Sequence, residues 1–329
     1  MSASCRCSAN IGHHHLKDDT MKPADYGRLL LLAAIWGASF LFMRIAAPAF
    51  GAVNTTFLRV LFALIGLAVM LLLLRAPMGF QGKLKSAMLL GVINSAIPFL
   101  MYAIAALWLP AGYSAILNAT TPLMGALIGF SCFNERLDRR KWLGVVLGVI
   151  GISLITTTGE VSAGGHLLPG VLACLFATAC YGLAGFLTRS WITHRGGLDA
   201  KLVAFGSQLG ASLFLLPFFA YQLAASPAVD WAVPTAWASV LAVGVVCTAL
   251  AYLLYFRLIA DIGPLRSLTV TFLIPPFGIL WGALVLGETL NQGFVLGGLV
   301  VCLSVWLVTS QASPPAVQAR AQPQDPDAR

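Results

Sequence analysis

The sequence predicts an all-α integral membrane fold of ten transmembrane helices, arranged as two inverted five-helix repeats. Three observations predict it: an apolar composition, an internal repeat of fixed offset, and a Lys/Arg distribution that changes sides between the two copies. Of the 329 residues, 59% are hydrophobic and 10% are charged, whereas a typical soluble domain carries about 25% charged residues. So few charges cannot cover a water-facing surface, and the composition indicates a polytopic membrane protein.

The repeat is clearest from Pro122 to Glu135, PLMGALIGFSCFNE, which returns as PPFGILWGALVLGE from Pro275 to Glu288. Pro122 matches Pro275, Gly125 matches Gly278, Gly129 matches Gly282, Glu135 matches Glu288 and Gly144 matches Gly297, each pair 153 positions apart. The register holds without a gap from Gly91 against Gly244 to Thr156 against Thr309. The first helix of each copy matches at an offset of 145, with Ala34, Trp36, Gly37 and Arg44 opposite Ala179, Tyr181, Gly182 and Arg189. The second helices match poorly. The chain is one helical unit used twice.

Taken in order, the apolar runs give spans at 29–47, 53–74, 86–107, 112–132 and 142–158 in the first repeat (29–158). Those at 168–188, 202–223, 235–256, 264–286 and 293–310 form the second (168–310). Runs of about 17 to 23 residues are the length a helix needs to cross ~30 Å of hydrocarbon. Barrel strands would instead alternate over ~10 residues. Residues 1–28 form a polar N-terminal tail, and 311–329, rich in Pro, Ala, Gln and Asp, read as a disordered C-terminal tail.

The charges set the orientation. One set of segments holds Arg6, Lys17, Lys22 and Arg28, then Arg75, Lys83 and Lys85, then Arg136, Arg139, Arg140 and Lys141. It continues with Arg189, Arg195 and Lys201, then Arg257 and Arg266, then Arg320 and Arg329, while the five loops on the other side hold no Lys or Arg. Cytoplasmic loops carry the Lys/Arg excess, which places both termini in the cytoplasm. An odd helix count per repeat inverts the second copy, and the loops show it: RLDRRK from Arg136 to Lys141 becomes TLNQGF from Thr289 to Phe294. Conversely, Ile104 and Tyr113 become Arg257 and Arg266.

The net charge of +8 is therefore a membrane-orientation pattern, and nucleic acid is not expected as a partner. Cys132, Cys174, Cys180, Cys247 and Cys302 lie inside apolar runs, where cysteine behaves as a small hydrophobe, so no disulfide is expected. Cys5, Cys7 and His13 to His15 lie in the polar leader, where Met21 is an alternative start, and do not amount to a metal site. No cofactor is expected. No cleavable signal peptide is evident, because the first apolar segment is too long and opens a repeat.

WGASF at 36–40, FLR at 57–59 and the Pro122 and Pro275 segments ending in Asn-Glu and Gly-Glu resemble the EamA-type transporters of the drug/metabolite transporter superfamily. The resemblance covers residues 26–310. It implies a ten-helix carrier of a bacterial inner membrane that exports amino acids, related metabolites or drugs. It also implies a central cavity lined mainly by helices 1, 3, 4, 6, 8 and 9. Repeat 2 departs from the pattern at Tyr181, in place of Trp, and at Gly185, in place of Phe. The implied partners are a small-molecule substrate and the lipid bilayer; a monomer and a homodimer both fit.

Inverted repeats place a site near the midplane that can open to either side by rocking. The candidate cavity residues are Trp36, Arg59, Asn94, Tyr102, Asn118, Thr121, Tyr181, Tyr252 and Tyr255. An intramembrane charge such as Arg59 marks a site by default: it forks onto a substrate carboxylate or phosphate, or it snorkels to headgroups and caps carbonyls. Asn94, Asn118 and Gln208 either join helices or present amides to a polar substrate. The rings either shape the cavity or serve packing and interface anchoring.

Pro122 and Pro275 cannot donate a ladder bond, so each is expected to bend its helix, free a carbonyl toward the cavity and act as a gating point. Gly125, Gly129, Gly278 and Gly282 form small faces for close backbone approach. Glu135 and Glu288 read as helix-end acids that stabilise the start of the following helix, or as coupling acids. None of the twelve Asp and Glu residues lies near the middle of a span, where a carboxylate proton relay normally sits. An enzyme is not expected: there is no His cluster, intramembrane Asp pair, Gly-x-Ser-x-Gly turn or phosphate-binding Gly loop.

Overall fold

The computed structural model describes residues 22–158, 167–225, 229–263, 267, 269–289 and 291–310. Cys5, Cys7, His13 to His15, Met21, Arg266 and the 311–329 tail lie outside the described residues. Ten apolar helices follow one another: α1 (Pro23–Phe50), α2 (Ala52–Leu73), α3 (Leu84–Ala105), α4 (Ala111–Cys132), α5 (Arg139–Thr158), α6 (Leu167–Trp191), α7 (Ala200–Ala225), α8 (Pro234–Ile262), α9 (Val270–Leu286) and α10 (Gln292–Thr309). Among the described residues, nine have the length and hydropathy to cross a bilayer, and α9 is a shorter apolar helix of 17 residues.

The ends follow from local chemistry. Pro23 sits in the first turn of α1, where its missing N–H costs nothing, and the Asp25 carboxylate accepts from the Lys22 N–H. Gly51, at φ +80°, makes the turn into α2 with a backbone that a side chain rarely adopts. At its C-terminal end α3 exposes carbonyls that Arg44 of α1 takes up, donating to Ala106 O at 2.6 Å and Leu107 O at 3.1 Å.

The inversion is visible in which residues touch. Between α5 and α10, a Cβ on Gly144 would meet the Ser304 carbonyl, and one on Gly297 would meet the Gly151 carbonyl. These two contacts exchange under the 153-residue offset, so the helices run antiparallel across the pseudo-two-fold axis. Ser304 also donates to the Gly144 carbonyl at 2.7 Å. The first helices obey the same rule, with Gly37 of α1 against Gly278 of α9 and Gly182 of α6 against Gly125 of α4. So do the seams at Gly91 against Ser207 of α7 and Gly244 against Arg59 and Phe62 of α2. Each half therefore packs largely on the other.

Apolar side chains also face outward on the axis pair: Leu143, Val146 and Val149 on α5, with Leu296, Leu299 and Leu303 on α10.

The third and eighth helices carry a local variation: Val92–Ala96 in α3 and Ala242–Leu250 in α8 are π-helical. The two segments overlap under the offset, and each places an extra residue in its helix at the level of the central cavity.

The two prolines also differ. In α4 the helix stops at Asn118, turns through Ala119 and Thr120, and resumes at Thr121. Pro122 lies in the first turn of the second segment, and the carbonyl it leaves without a ladder bond, on Asn118, accepts from the Thr121 hydroxyl at 2.7 Å. The freed carbonyl is thus taken within the helix. In α9 the helix runs unbroken from Val270 to Leu286 through Pro275 and Pro276.

The two glutamates do not start the following helices. That task falls to residues on the offset itself: Asp138 accepts from the Lys141 N–H at 2.8 Å for α5, and Asn291 from the Phe294 N–H at 2.7 Å for α10. Glu288 folds back over Gly282 and accepts the Ala111 N–H through both oxygens at 2.9 Å, closing the start of α4. Glu135 lies over Gly129 in the same way. Gly129 and Gly282 therefore make room for a carboxylate, while Gly125 and Gly278 make the close helix contacts.

Candidate functional site

A cavity of about 340 Å³ lies where the halves meet. The first half contributes α1, α2, α3 and α4; the second contributes α6, α8 and α9. All nine candidate cavity residues line it: Trp36, Arg59, Asn94, Tyr102, Asn118, Thr121, Tyr181, Tyr252 and Tyr255. The lining is largely paired by the repeat. Asn94 answers Cys247, Phe99 answers Tyr252, Tyr102 answers Tyr255, and Asn118 answers Thr271 at the 153-residue offset, while Trp36 answers Tyr181 at 145. Pairs fixed by symmetry but differing in chemistry give the two ends of the cavity different polar groups.

Arg59 breaks the pairing. It is the eighth residue of α2 and 7% exposed, turned away from the headgroups, and among the described residues its one hydrogen bond goes to a sulfur and not to a carbonyl. Its Nη1 lies 2.9 Å from the Met43 sulfur, and its guanidinium carbon stands 3.4 Å from the Phe99 ring centroid. Nε is buried without a hydrogen-bond partner, and among the described residues no carboxylate forms an ion pair with it. A thioether and a π-face hold the cation in place without neutralising it. Such a site favours an incoming anion, because an uncompensated buried charge is costly.

The remaining polar groups divide into engaged and available. Thr121 and Thr248 donate to carbonyls of their own helices, at Asn118 and Val243, and Ser39 to that of Trp36. Tyr102 donates to Asn118 Oδ1 at 3.0 Å. Among the described residues, the Asn94 amide and the hydroxyls of Tyr181, Tyr252 and Tyr255 have no hydrogen-bond partner. The rings both pack and line: Trp36 and Tyr255 meet at 5.3 Å, Phe40 and Tyr102 at 5.3 Å, and Tyr102 and Tyr181 at 6.3 Å.

Gln208 lies elsewhere. It is fully buried on α7 and donates to Ser95 Oγ at 3.1 Å, joining α7 to α3. Pro122, Pro275, Glu135 and Glu288 are not on the lining. Sequence reasoning missed Ser39, Phe40, Phe99, Cys247, Thr248, Val270, Thr271 and Ile274 among the lining residues. The offset could have found four of them, since Phe99, Cys247, Thr271 and Ile274 answer Tyr252, Asn94, Asn118 and Thr121.

The chain is 22% identical over 284 residues to the uncharacterized transporter YoaV of Bacillus subtilis, covering 85% of this chain and 95% of that one. It is 27% identical over 281 residues to protein PecM of Dickeya dadantii, covering 85% and 90%. It is 22% identical over 286 residues to a probable terminal-alkyne amino-acid exporter of Streptantibioticus cattleyicolor, covering 85% and 91%. A solved crystal structure matches with a TM-score of 0.56 at 18% identity, over 88% of this chain and 98% of that one, and supports the fold alone. The EamA-like transporter family matches residues 27–157 and again residues 168–310. With ten apolar helices in two inverted halves around a central cavity, this chain belongs to the EamA-like transporter family.

Proposed function

We propose that the protein is a secondary transporter that exports amino acids or related small metabolites across a bacterial inner membrane by alternating access between its two halves. The observation that carries this reading is the buried cation at Arg59, facing a cavity shared by both repeats with no carboxylate against it among the described residues. The carboxylate of a substrate would complete that site, with the guanidinium fork holding both oxygens. The metabolite class draws on the relative whose name makes it a probable amino-acid exporter.

The inner membrane and cytoplasmic termini rest on the loop charges and on a relative named as an inner membrane transporter, YedA of Escherichia coli, 26% identical over 289 residues. Movement is assigned to the cross-packed pairs α1 with α9 and α4 with α6. The interruption of α4 before Pro122 serves as one flexing point.

A thermal-shift screen of the purified protein against amino acids, their acetylated precursors, purines and cationic drugs tests the reading. Acidic or zwitterionic ligands should protect the wild type, and Arg59→Gln should lose that protection while keeping its response to cations. Equal protection of the mutant would sink the assignment of Arg59. Flux into vesicles with and without a pH gradient separates coupled export from passive movement, and no flux for any ligand that protects would remove the transport reading.

A further inference from the structure

We infer that the cavity selects compact organic carboxylates that carry a flat or apolar group and no free ammonium, so that a solute of net charge −1 is preferred over the zwitterion of the same skeleton. The inference rests on reading the cavity as the transport site and narrows the substrate class within it.

The charge inventory carries the argument. Among the described residues, Arg59 is the one charged side chain on the lining, and no Asp or Glu lies there. The contrast with Arg44 is informative. That second intramembrane cation donates from Nη1 to the Ala106 and Leu107 carbonyls at the end of α3, so this nitrogen is engaged by backbone. Arg59 has only the Met43 sulfur and the Phe99 ring, with Nε unpartnered. A carboxylate entering the cavity therefore gains a planar, bidentate partner and removes an uncompensated charge at the same time.

An ammonium gains neither. Its possible acceptors on the lining are neutral amides, hydroxyls and rings, and Oδ1 of Asn118 already accepts from Tyr102. In an α-amino acid the ammonium sits on the carbon that bears the carboxylate, so a carboxylate docked on Arg59 brings a second cation close to the first. In a cavity of 340 Å³ that repulsion is weakly screened. Acylating or omitting the amine removes both the repulsion and the desolvation of the ammonium.

Shape completes the class. The cavity volume is at the low end of ligand sites, which run from about 300 to 1,000 Å³, so the solute is compact. Trp36, Tyr181, Tyr252 and Tyr255 present ring surface to it, which suits a flat or apolar body behind the carboxylate.

Two matched series test the inference on the purified full-length protein: N-acetyl-phenylalanine, phenylalanine and phenylalaninamide, with charges of about −1, 0 and +1, and indole-3-acetate, tryptophan and tryptamine, with the same progression. Thermal shift and counterflow in proteoliposomes should both rank each series from anion to zwitterion to cation. The anion should bind at least about tenfold tighter than the zwitterion, a difference of about 1.4 kcal/mol. Arg59→Gln should erase the gap between anion and zwitterion, and Arg59→Lys, which keeps charge without the fork, should retain part of it; the second variant keeps the test open if the first is unstable.

A zwitterion equal to or better than its anion in both series overturns the inference and leaves the transport reading standing. Preference for the amines would instead make the rings a cation–π site and overturns it as well. No shift and no flux from any of the six, together with none from the wider panel, removes the transport reading with it.

Discussion

The hydroxyl of Tyr102 donates to Oδ1 of Asn118 across 3.0 Å and ties α3 to α4 on the wall of the cavity. Under the repeat its partners change to Tyr255 and Thr271, while the ring contact is common to both halves: Tyr102 meets Tyr181 at 6.3 Å and Tyr255 meets Trp36 at 5.3 Å. The first repeat therefore adds a tyrosine hydrogen bond to a ring contact that both repeats share. A double-mutant cycle of Tyr102→Phe and Asn118→Ala should show a coupling of ~0.6 kcal/mol, at most about 1.7. Tyr255→Phe, which removes no bond, should change stability by less than ~0.5 kcal/mol. Reversible unfolding in mixed micelles measures both, and additive single mutants would mean the bond contributes nothing to the fold.

Two glycines inside apolar helices, Gly91 and Gly185, differ in the space around them. A Cβ on Gly91 would land on the backbone of Ser207, which cannot turn aside, so α3 and α7 would have to separate. A Cβ on Gly185 of α6 meets nothing within 4 Å. Gly91→Ala should cost ~1–3 kcal/mol or more through overpacking, visible as loss of monodisperse protein in size-exclusion chromatography. Gly185→Ala should be neutral or stabilising by up to ~1 kcal/mol, since alanine is the better helix former.

The contrast shows what the sequence could and could not disclose. The number of helices, their inversion and the nine cavity residues were legible because hydropathy and a fixed offset are properties of the chain itself. The π segments at Val92–Ala96 and Ala242–Leu250 were not, because a π turn leaves no gap in an apolar run. Nor was the partner of Arg59: depth along α2 allowed a snorkelling side chain, and only the positions of Met43 and Phe99 across the helix packing show it turned inward. The residue that closes α4 was hidden for the same reason, since Glu288 lies 177 positions from Ala111.

Glu288 accepts the Ala111 N–H through both carboxylate oxygens, closing one half at the start of its fourth helix with a side chain from the other. Glu288→Ala should remove the cap and lower stability by ~1 kcal/mol, within the range for lost N-terminal caps. Glu288→Gln keeps an acceptor oxygen and should lose less, the remaining deficit reflecting the charge at a helix start. If the cap is its whole role, the pH profile of transport by Glu288→Gln should follow the wild type. A displaced profile would move Glu288 from the fold into the coupling mechanism.

Pro122 and Pro275 occupy equivalent positions, but their helices answer them differently, so they should not be interchangeable. Pro122→Ala supplies an N–H that can take the Asn118 carbonyl in place of the Thr121 hydroxyl now 2.7 Å from it. That would extend helical bonding across the turn at Ala119 and Thr120. The variant should gain ~1 kcal/mol or more in stability and, with its flexing point stiffened, should transport more slowly. Pro275→Ala leaves Pro276 in the next position of a helix that is already unbroken, so both effects should be smaller. Vesicle flux and thermal unfolding on the two single mutants and the double mutant decide the matter. Wild-type flux from Pro122→Ala would take the α4 interruption out of the transport cycle, and wild-type flux from the double mutant would exclude both prolines.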